Sequence, residues 1–288
     1  MTDLVERFST ESLLRPRDGV RVMRPRLRSV DVHWHDYYEL GVVVSGVARH
    51  VVNGERSLVR PGSAFLLSPA DLHSFEAVGE APLDCYNTVI APVVMERELA
   101  ALDPAGVHPF PWRADDLVGL VDDVAQLERE LEGPRWGSDR LAEALVTRLV
   151  VGLARGCLGD RPGGVTAATV RGDDGLRSAV LHVDRHFREP LTLADVASRA
   201  HLSPNYFSER FRDYTGTSFQ QYLQERRLRF ARSLLASTSL SVTEVCHAAG
   251  FGSLSHFGRA YRRRYGAPPS RRSHESPSAV VDLGHVTM

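Results

Sequence analysis

One pattern is written twice between Leu191 and Gly266, and no other feature constrains this chain as strongly. In the first copy Asp195-Val196-Ala197 leads through Ala200 and Leu202 to Ser203, then to Phe207, Phe211 and Gly216. In the second, Glu244-Val245-Cys246 leads through Ala249 and Phe251 to Ser253, then to Phe257, Tyr261 and Gly266. Asp195 and Glu244 lie 49 positions apart, Ser203 and Ser253 lie 50 apart, so the second copy has a turn one residue longer. Such self-similarity marks a repeated structural unit.

Each copy reads as two short helices joined by a tight turn. Thr192-x-x-Asp195 and Ser241-x-x-Glu244 have the form of capping boxes, in which hydroxyl and acid satisfy orphan backbone N–H groups reciprocally. Ser203-Pro204 restarts the chain as a helix, with proline at the first helical position, where its missing N–H costs nothing. Phe207 and Phe211, at i and i+4, bury one side of that helix; Asn205, Ser208, Glu209 and Arg212 stay on the other. In the second copy Phe257 and Tyr261 go inward, while Ser255, His256, Arg259, Arg262 and Arg263 go outward. This is a helix-turn-helix, whose second helix offers polar side chains to base edges. Between the copies, Thr217-x-x-Gln220 opens a further helix in which Phe219, Tyr222, Leu223, Arg226, Leu228, Phe230, Ala231, Leu234 and Leu235 recur at helical spacing. About nineteen residues at ~1.5 Å each make a rod of roughly 28 Å. Successive major-groove faces lie about 34 Å apart, so such a rod can hold two recognition helices in neighbouring grooves.

The stretch Leu191–Arg272 resembles the DNA-binding domain of the AraC/XylS family of bacterial transcription regulators. The carrying residues are Leu202-Ser203-Pro204, Phe207, Phe211 and Gly216, then Arg227-Leu228, Ala231 and Leu234-Leu235, then Gly250-Phe251, Phe257, Tyr261-Arg262, Tyr265-Gly266 and Pro269. Glu209 stands where the family usually carries arginine, and Gly258 where it usually has a small hydroxyl. Both departures bear on which half-site is read, and leave the fold unaffected. Base contacts are expected from Asn205, Ser208, Glu209, Ser255 and Arg259; Glu209 suits a cytosine amino group and Arg259 a guanine. Arg212, His256, Arg262 and Arg263 are expected on phosphates, which position without specifying.

Charge agrees with this division. Residues 174–272 hold 16 arginines against 8 acidic residues, a net +8, whereas residues 1–173 hold 19 against 26, a net −7. A basic block beside an acidic one is what a DNA-binding module joined to something else shows. Three scattered cysteines without a CxxC, no secretory leader pattern and no apolar run long enough to span a bilayer lead to the expectation of a cytoplasmic protein.

The arginine-dotted residues 1–28 read as an irregular arm leading into a first strand. From Val30 the texture becomes short apolar runs cut by turns, including Leu40–Val44, Val47–Val52, Ser57–Val59 and Ala64–Leu67. Asn53-Gly54 between two of them is a strong hairpin signal, and strands at this spacing suggest a β-sandwich or barrel. His33-x-His35-x-x-x-Glu39 with Gly46, then Gly62, Pro69, Asp71-Leu72-His73, resembles the two motifs of the cupin superfamily. Asp71 stands where glycine is common, and no asparagine follows His73 at the usual distance. On a strand His33 and His35 share a face opposite Trp34, and Glu39 and His73 can complete a three-histidine, one-carboxylate set suited to a divalent transition metal. Three readings stay open: hydrogen-bond partners of a small effector, a bound metal, or strand-end residues satisfied by backbone in a barrel that is only a scaffold. The His33–Leu40 stretch is similar to that of sugar-responsive family members, which implies a sugar as effector.

After Pro92 the texture turns helical. Leu117, Leu120, Val121, Val124, Leu127 and Leu131 mark one helix, ended by Gly133-Pro134; Leu141, Leu145, Leu149 and Leu153 mark the next, a seam able to pack on the first helix or on another chain. The expected architecture is α+β in two domains: a cupin-like sensor barrel over residues 1–105 and a helical pair for dimerisation over 106–158, then a glycine-rich linker over 159–173. An all-helical DNA-binding domain with two helix-turn-helix motifs and a linker helix covers 174–272, beginning with a helix over 176–189, and a disordered tail covers 273–288. The family resemblance implies an effector-controlled activator that works as a homodimer on double-stranded DNA and touches RNA polymerase, with no catalytic residues. The alternative is a metal-dependent cupin enzyme fused to a DNA-binding tail.

Overall fold

A computed structural model describes residues 6–14, 19–69, 71–102, 111–158 and 174–270. The expected linker, 159–173, and tail, 273–288, lie outside the described residues. In chain order the amino-terminal part forms β1 (Glu6–Phe8), α1 (Thr10–Leu13), β2 (Val20–Met23), β3 (Arg26–Leu27), β4 (Ser29–His35), β5 (Tyr38–Ser45), β6 (Ala48–Val52) and β7 (Glu55–Val59). β8 (Ala64–Leu67), β9 (His73–Ala77), β10 (Leu83–Ile90), α2 (Pro92–Leu102), β11 (Trp112–Ala114), α3 (Gly119–Glu132) and α4 (Ser138–Leu158) follow.

These strands make two facing sheets, ordered β1-β4-β9-β6-β7 and β11-β8-β5-β10-β2, with β3 also on β10. Alternation along β5 explains the layering. Val43 packs inside the barrel with Phe65, Phe75 and Leu83, whereas Tyr38, Leu40 and Val42 face outward, under Leu120, Val124, Leu149 and Leu153 of α3 and α4. A strand buried on both faces reads as the near-continuous apolar run seen in the sequence. Gly41 is required there, since a Cβ would stand 2.0 Å from the Phe65 ring. Asn53 and Gly54 both take positive φ, 52° and 83°, as a two-residue hairpin between β6 and β7 demands.

Two expectations need correction. Residues 1–28 are not simply an irregular arm: β1 pairs in parallel with β4, β2 and β3 pair with β10, and Arg24 and Arg26 converge on Asp84 at 2.9 and 3.4 Å. An intramolecular carboxylate consumes those arginines, which sequence spacing 60 residues apart does not reveal. β11, inside the stretch read as a helical pair, pairs with β8 and extends the second sheet. The Leu145, Leu149 and Leu153 seam is buried within this chain, while Leu141 is 38% exposed.

The carboxy-terminal part is helical: α5 (Asp174–His186), α6 (Leu193–Arg199), α7 (Pro204–Thr215), α8 (Phe219–Ser237), α9 (Val242–Ala248) and α10 (Leu254–Tyr265). Both expected capping boxes are formed, Thr192 with Asp195 and Ser241 with Glu244. The cap of α8 is displaced by one residue: Ser218 with Gln221 closes the box. Thr217 instead lies in the preceding turn, its carbonyl accepting from the Thr215 hydroxyl. Phe207, Phe211, Phe219 and Phe257 are at most 2% exposed and form one core. At about 1.5–3 kcal/mol for each buried phenylalanine, they are the main hold on the two recognition helices. Among the described residues no helix is long and apolar enough to cross a membrane.

Candidate nucleic-acid interface and sensor site

The two recognition helices are α7 and α10. Pro204 at the start of α7 and Gly216 at its end, with φ 74°, set its length at three turns; Gly266, with φ 77°, ends α10 in the same way. Ser203 makes no side-chain capping bond, whereas the Ser253 hydroxyl accepts from the His256 N–H. Asn205, Glu209 and Arg212 are exposed on α7 and Ser208 is half-buried; Ser255, His256, Arg259, Arg262 and Arg263 are all exposed on α10. The structure therefore leaves every side chain expected at DNA on the outer face, with Phe207, Phe211, Phe257 and Tyr261 beneath.

The contacts that aim these helices escaped the sequence reading. Arg264 donates to Glu225 of α8 through Nε and Nη2, at 2.7 and 2.9 Å, and Arg263 donates to the Gln224 Oε1 at 3.3 Å. His256 Nε2 also meets the Gln224 amide at 3.3 Å. These bonds tie α10 to the linker helix. On the other side, Arg227 donates to the carbonyls of Phe187 and Glu189, and Arg226 and Tyr222 converge on Asp184. A residue pair 39 apart on different helices leaves no periodic trace, so no sequence signal pointed to it.

Inside the barrel the sheets bring a second group together. His33 on β4 lies directly opposite His73 on β9, and Glu39 enters from β5 in the facing sheet. His33, His35, Glu39 and His73 are all at most 4% exposed. One ligand atom from each of His33, Glu39 and His73 lies within 4.8 Å of the others. Glu39 Oε2 stands 3.8 Å from the Nε2 of both His35 and His73, beyond hydrogen-bonding distance. His33 Nδ1 meets the Asp31 carbonyl at 2.8 Å and His35 Nδ1 the Tyr37 carbonyl at 2.7 Å; a carbonyl can only accept, so each Nδ1 carries a proton, and in the neutral His35 ring this leaves a lone pair on Nε2. The same orientation by a carbonyl is typical of metal-bound histidines. His50 on β6, which the sequence reading missed, completes the group: its ring stacks on Phe75 at 4.1 Å and stands 5.7 Å from His73. The signal was available, since His50 shares one strand face with Ala48 and Val52, opposite Arg49 and Val51.

Burial sets the charge of this pocket. It pushes His35 and His50 down to about 3 and His73 well below its usual value, so all three are neutral at pH 7. It pushes Glu39 up to about 7. His35 Nε2 and both nitrogens of His50 and His73 have no hydrogen-bond partner. Buried polar atoms of this kind require one. Lone pairs beside a carboxyl suit the hydroxyls of a polar ligand or a divalent cation. The donor set fits such an ion, provided the side chains close toward the about 3.4 Å ligand separations of a tetrahedral site.

A pH dependence follows. Unfolded histidines take up protons near pH 6.5, folded His35 and His50 only near 3, so their contribution is complete above 6.5 and is lost as the pH falls toward 3. Glu39 acts oppositely: its contribution is complete below about 4.5 and is lost as the pH rises through about 7. Histidines outnumber the carboxyl, so the barrel is expected to melt at a lower temperature at pH 5 than at pH 7. In calorimetry His50→Phe should flatten that dependence by up to about 1.4 kcal/mol per pH unit. An unchanged slope would show that His50 is charged or solvated in the folded state.

Comparison with known proteins bears on both sites. Residues 20–150 match the AraC-like ligand binding domain, and residues 196–273 match a helix-turn-helix domain. The HTH-type transcriptional activator RhaS of Salmonella paratyphi B is 30% identical over 249 residues, 82% of this chain and 85% of that protein. RhaS of Escherichia fergusonii is 28% identical over 251 residues, with the same coverage. Among solved structures, ToxT from Vibrio cholerae O395 bound to (E)-4-(8-methylnaphthalen-1-yl)but-3-enoic acid aligns with a TM-score of 0.44 at 11% identity, over 88% of this chain and 97% of that one.

Proposed function

This chain belongs to the AraC/XylS family of transcription regulators, and from that premise we propose how its two sites divide the work. It is a DNA-binding regulator controlled by a small effector. The carrying observation is the pair of capped helix-turn-helix units on one 19-residue helix, each with a polar outer face over a phenylalanine core. Each recognition helix occupies one of two adjacent major grooves. Asn205, Ser208 and Glu209 read one half-site and Ser255 and Arg259 the other; Arg212, His256, Arg262 and Arg263 hold phosphates. The effector sits in the barrel against His33, His35, Glu39 and His73. The unpartnered ring nitrogens of His35 and His73 there favour a hydroxyl-rich compound such as a sugar, or a divalent transition metal that anchors it. Homodimerisation through the outer face of α3 and α4, where Leu131, Trp136 and Leu141 are exposed, and a contact with RNA polymerase complete the reading. The relatives named as activators favour raised transcription. We propose no turnover for the barrel.

Arg262→Ala tests the phosphate assignment. Binding should weaken alike on specific and unrelated duplexes, and the slope of log affinity against log salt should fall by about 1. A loss confined to one sequence would move Arg262 to the base-reading set.

A further inference from the structure

Successive side chains of β4 point to opposite faces of its sheet. His33 and His35 point into the barrel, whereas Val32 and Trp34 enter the core of the DNA-binding domain. Trp34 is 5% exposed, with its ring edge-on to Phe230 of α8 at 6.0 Å. The Arg188 guanidinium lies 4.4 Å over the same ring. The other barrel residue fully buried in that core is Leu72, the immediate neighbour of His73. Three of the four pocket residues expected from sequence thus adjoin, along the backbone, a side chain seated in the other domain.

Arg188 carries the contact onward. Its Nε donates to the carbonyl of Ala248 at the end of α9, at 2.8 Å. Gly250, in the turn of the second helix-turn-helix, packs so closely on Arg188 that a Cβ would stand 2.6 Å from its carbonyl oxygen. The run His33/His35, Trp34, Arg188, Ala248 is unbroken. Two further contacts flank it: Glu96 of α2 pairs with Arg185 of α5 at 3.1 Å, and a Cβ on Gly54 would meet Ala236 at 2.7 Å. A cleft of about 580 Å³ opens beside Trp34 and Arg188, between Thr10 and Asp36 on one wall and Arg185 and His247 on the other.

We propose that Trp34 and Arg188 form a latch through which the state of the histidine pocket is transmitted to the second helix-turn-helix. This rests on the reading of the barrel as the sensor. A ligand that draws His33 and His35 inward rotates the backbone they share with Trp34, and Trp34 moves in the opposite sense on the far side of the sheet. Packed interfaces shift between discrete arrangements instead of deforming smoothly, so a small rotation releases or tightens the grip on Arg188. The cleft gives the guanidinium somewhere to go.

The test is a double-mutant cycle on the full chain, read by amide hydrogen exchange in two segments of the DNA-binding domain, 226–236 and 245–251. His33→Ala perturbs the pocket, and Arg188→Gln breaks the latch while leaving every side chain of the histidine pocket in place. His33→Ala alone should change exchange in 245–251 by about threefold or more, as expected of residues coupled through direct contacts. In the Arg188→Gln background that change should vanish. A change confined to residues 20–150, or one that persists undiminished in Arg188→Gln, overturns the proposal. His35→Ala provides the same cycle should His33→Ala fail to fold. Coupling in the cycle combined with no effector for the barrel would fault the sensor reading and leave the latch standing.

Discussion

Phe257→Ala is expected to abolish specific DNA binding while leaving the barrel folded. The Phe257 ring is fully buried between Phe251 at 5.1 Å and Tyr261 at 5.6 Å, and it anchors α10. Truncating a buried phenylalanine costs about 3–5 kcal/mol. That is comparable with the entire stability of a small helical domain. Calorimetry should show the carboxy-terminal transition lowered or lost, and the barrel transition shifted far less, by the loss of the Trp34 and Leu72 contacts alone. Mobility shift should show binding weakened to the unspecific level. A variant that melts normally yet does not bind would mean that Phe257 acts at the DNA and not beneath it.

Arg259→Ala should act without unfolding anything. Arg259 is exposed on the outer face of α10 and makes no hydrogen bond or ion pair among the described residues. If it pairs with a guanine, its loss costs about 1–3 kcal/mol of discrimination, roughly fivefold to 150-fold, at one base position. Competition between the preferred duplex and single-base variants of it should show that position becoming indifferent while all others keep their rank. Equal weakening on every duplex would place Arg259 on a phosphate.

Much of this was legible because the signals are local. Capping boxes, the Ser203-Pro204 restart, the paired aromatics at i and i+4 and the Asn53-Gly54 turn each act within a few residues, so sequence spacing records them. The histidine and glutamate set was legible for a related reason: strand alternation puts His33 and His35 on one face. What stayed hidden depends on contacts between distant segments. Sequence put Trp34 only on the strand face opposite His33 and His35, and its place against Phe230 and Arg188 follows from how the two halves meet. The pairing of β1 with β4, the short strand β11 and the Arg264–Glu225 tie are equally non-local. The one-residue displacement of the α8 cap arose because Thr217 and Ser218 both offer a hydroxyl three residues before a glutamine, and only packing chooses between them.

The most direct measurement is selection of duplexes from a random pool by the full chain, followed by sequencing. Two recognition helices held on one linker helix should enrich two short elements whose centres lie about 10–10.5 base pairs apart, one helical turn, on the same face. Arg259→Ala should blur one position of the second element, and Glu209→Ala one position of the first. Enrichment of a single element, or of two elements at no fixed spacing, would contradict the placement of both helices in neighbouring grooves.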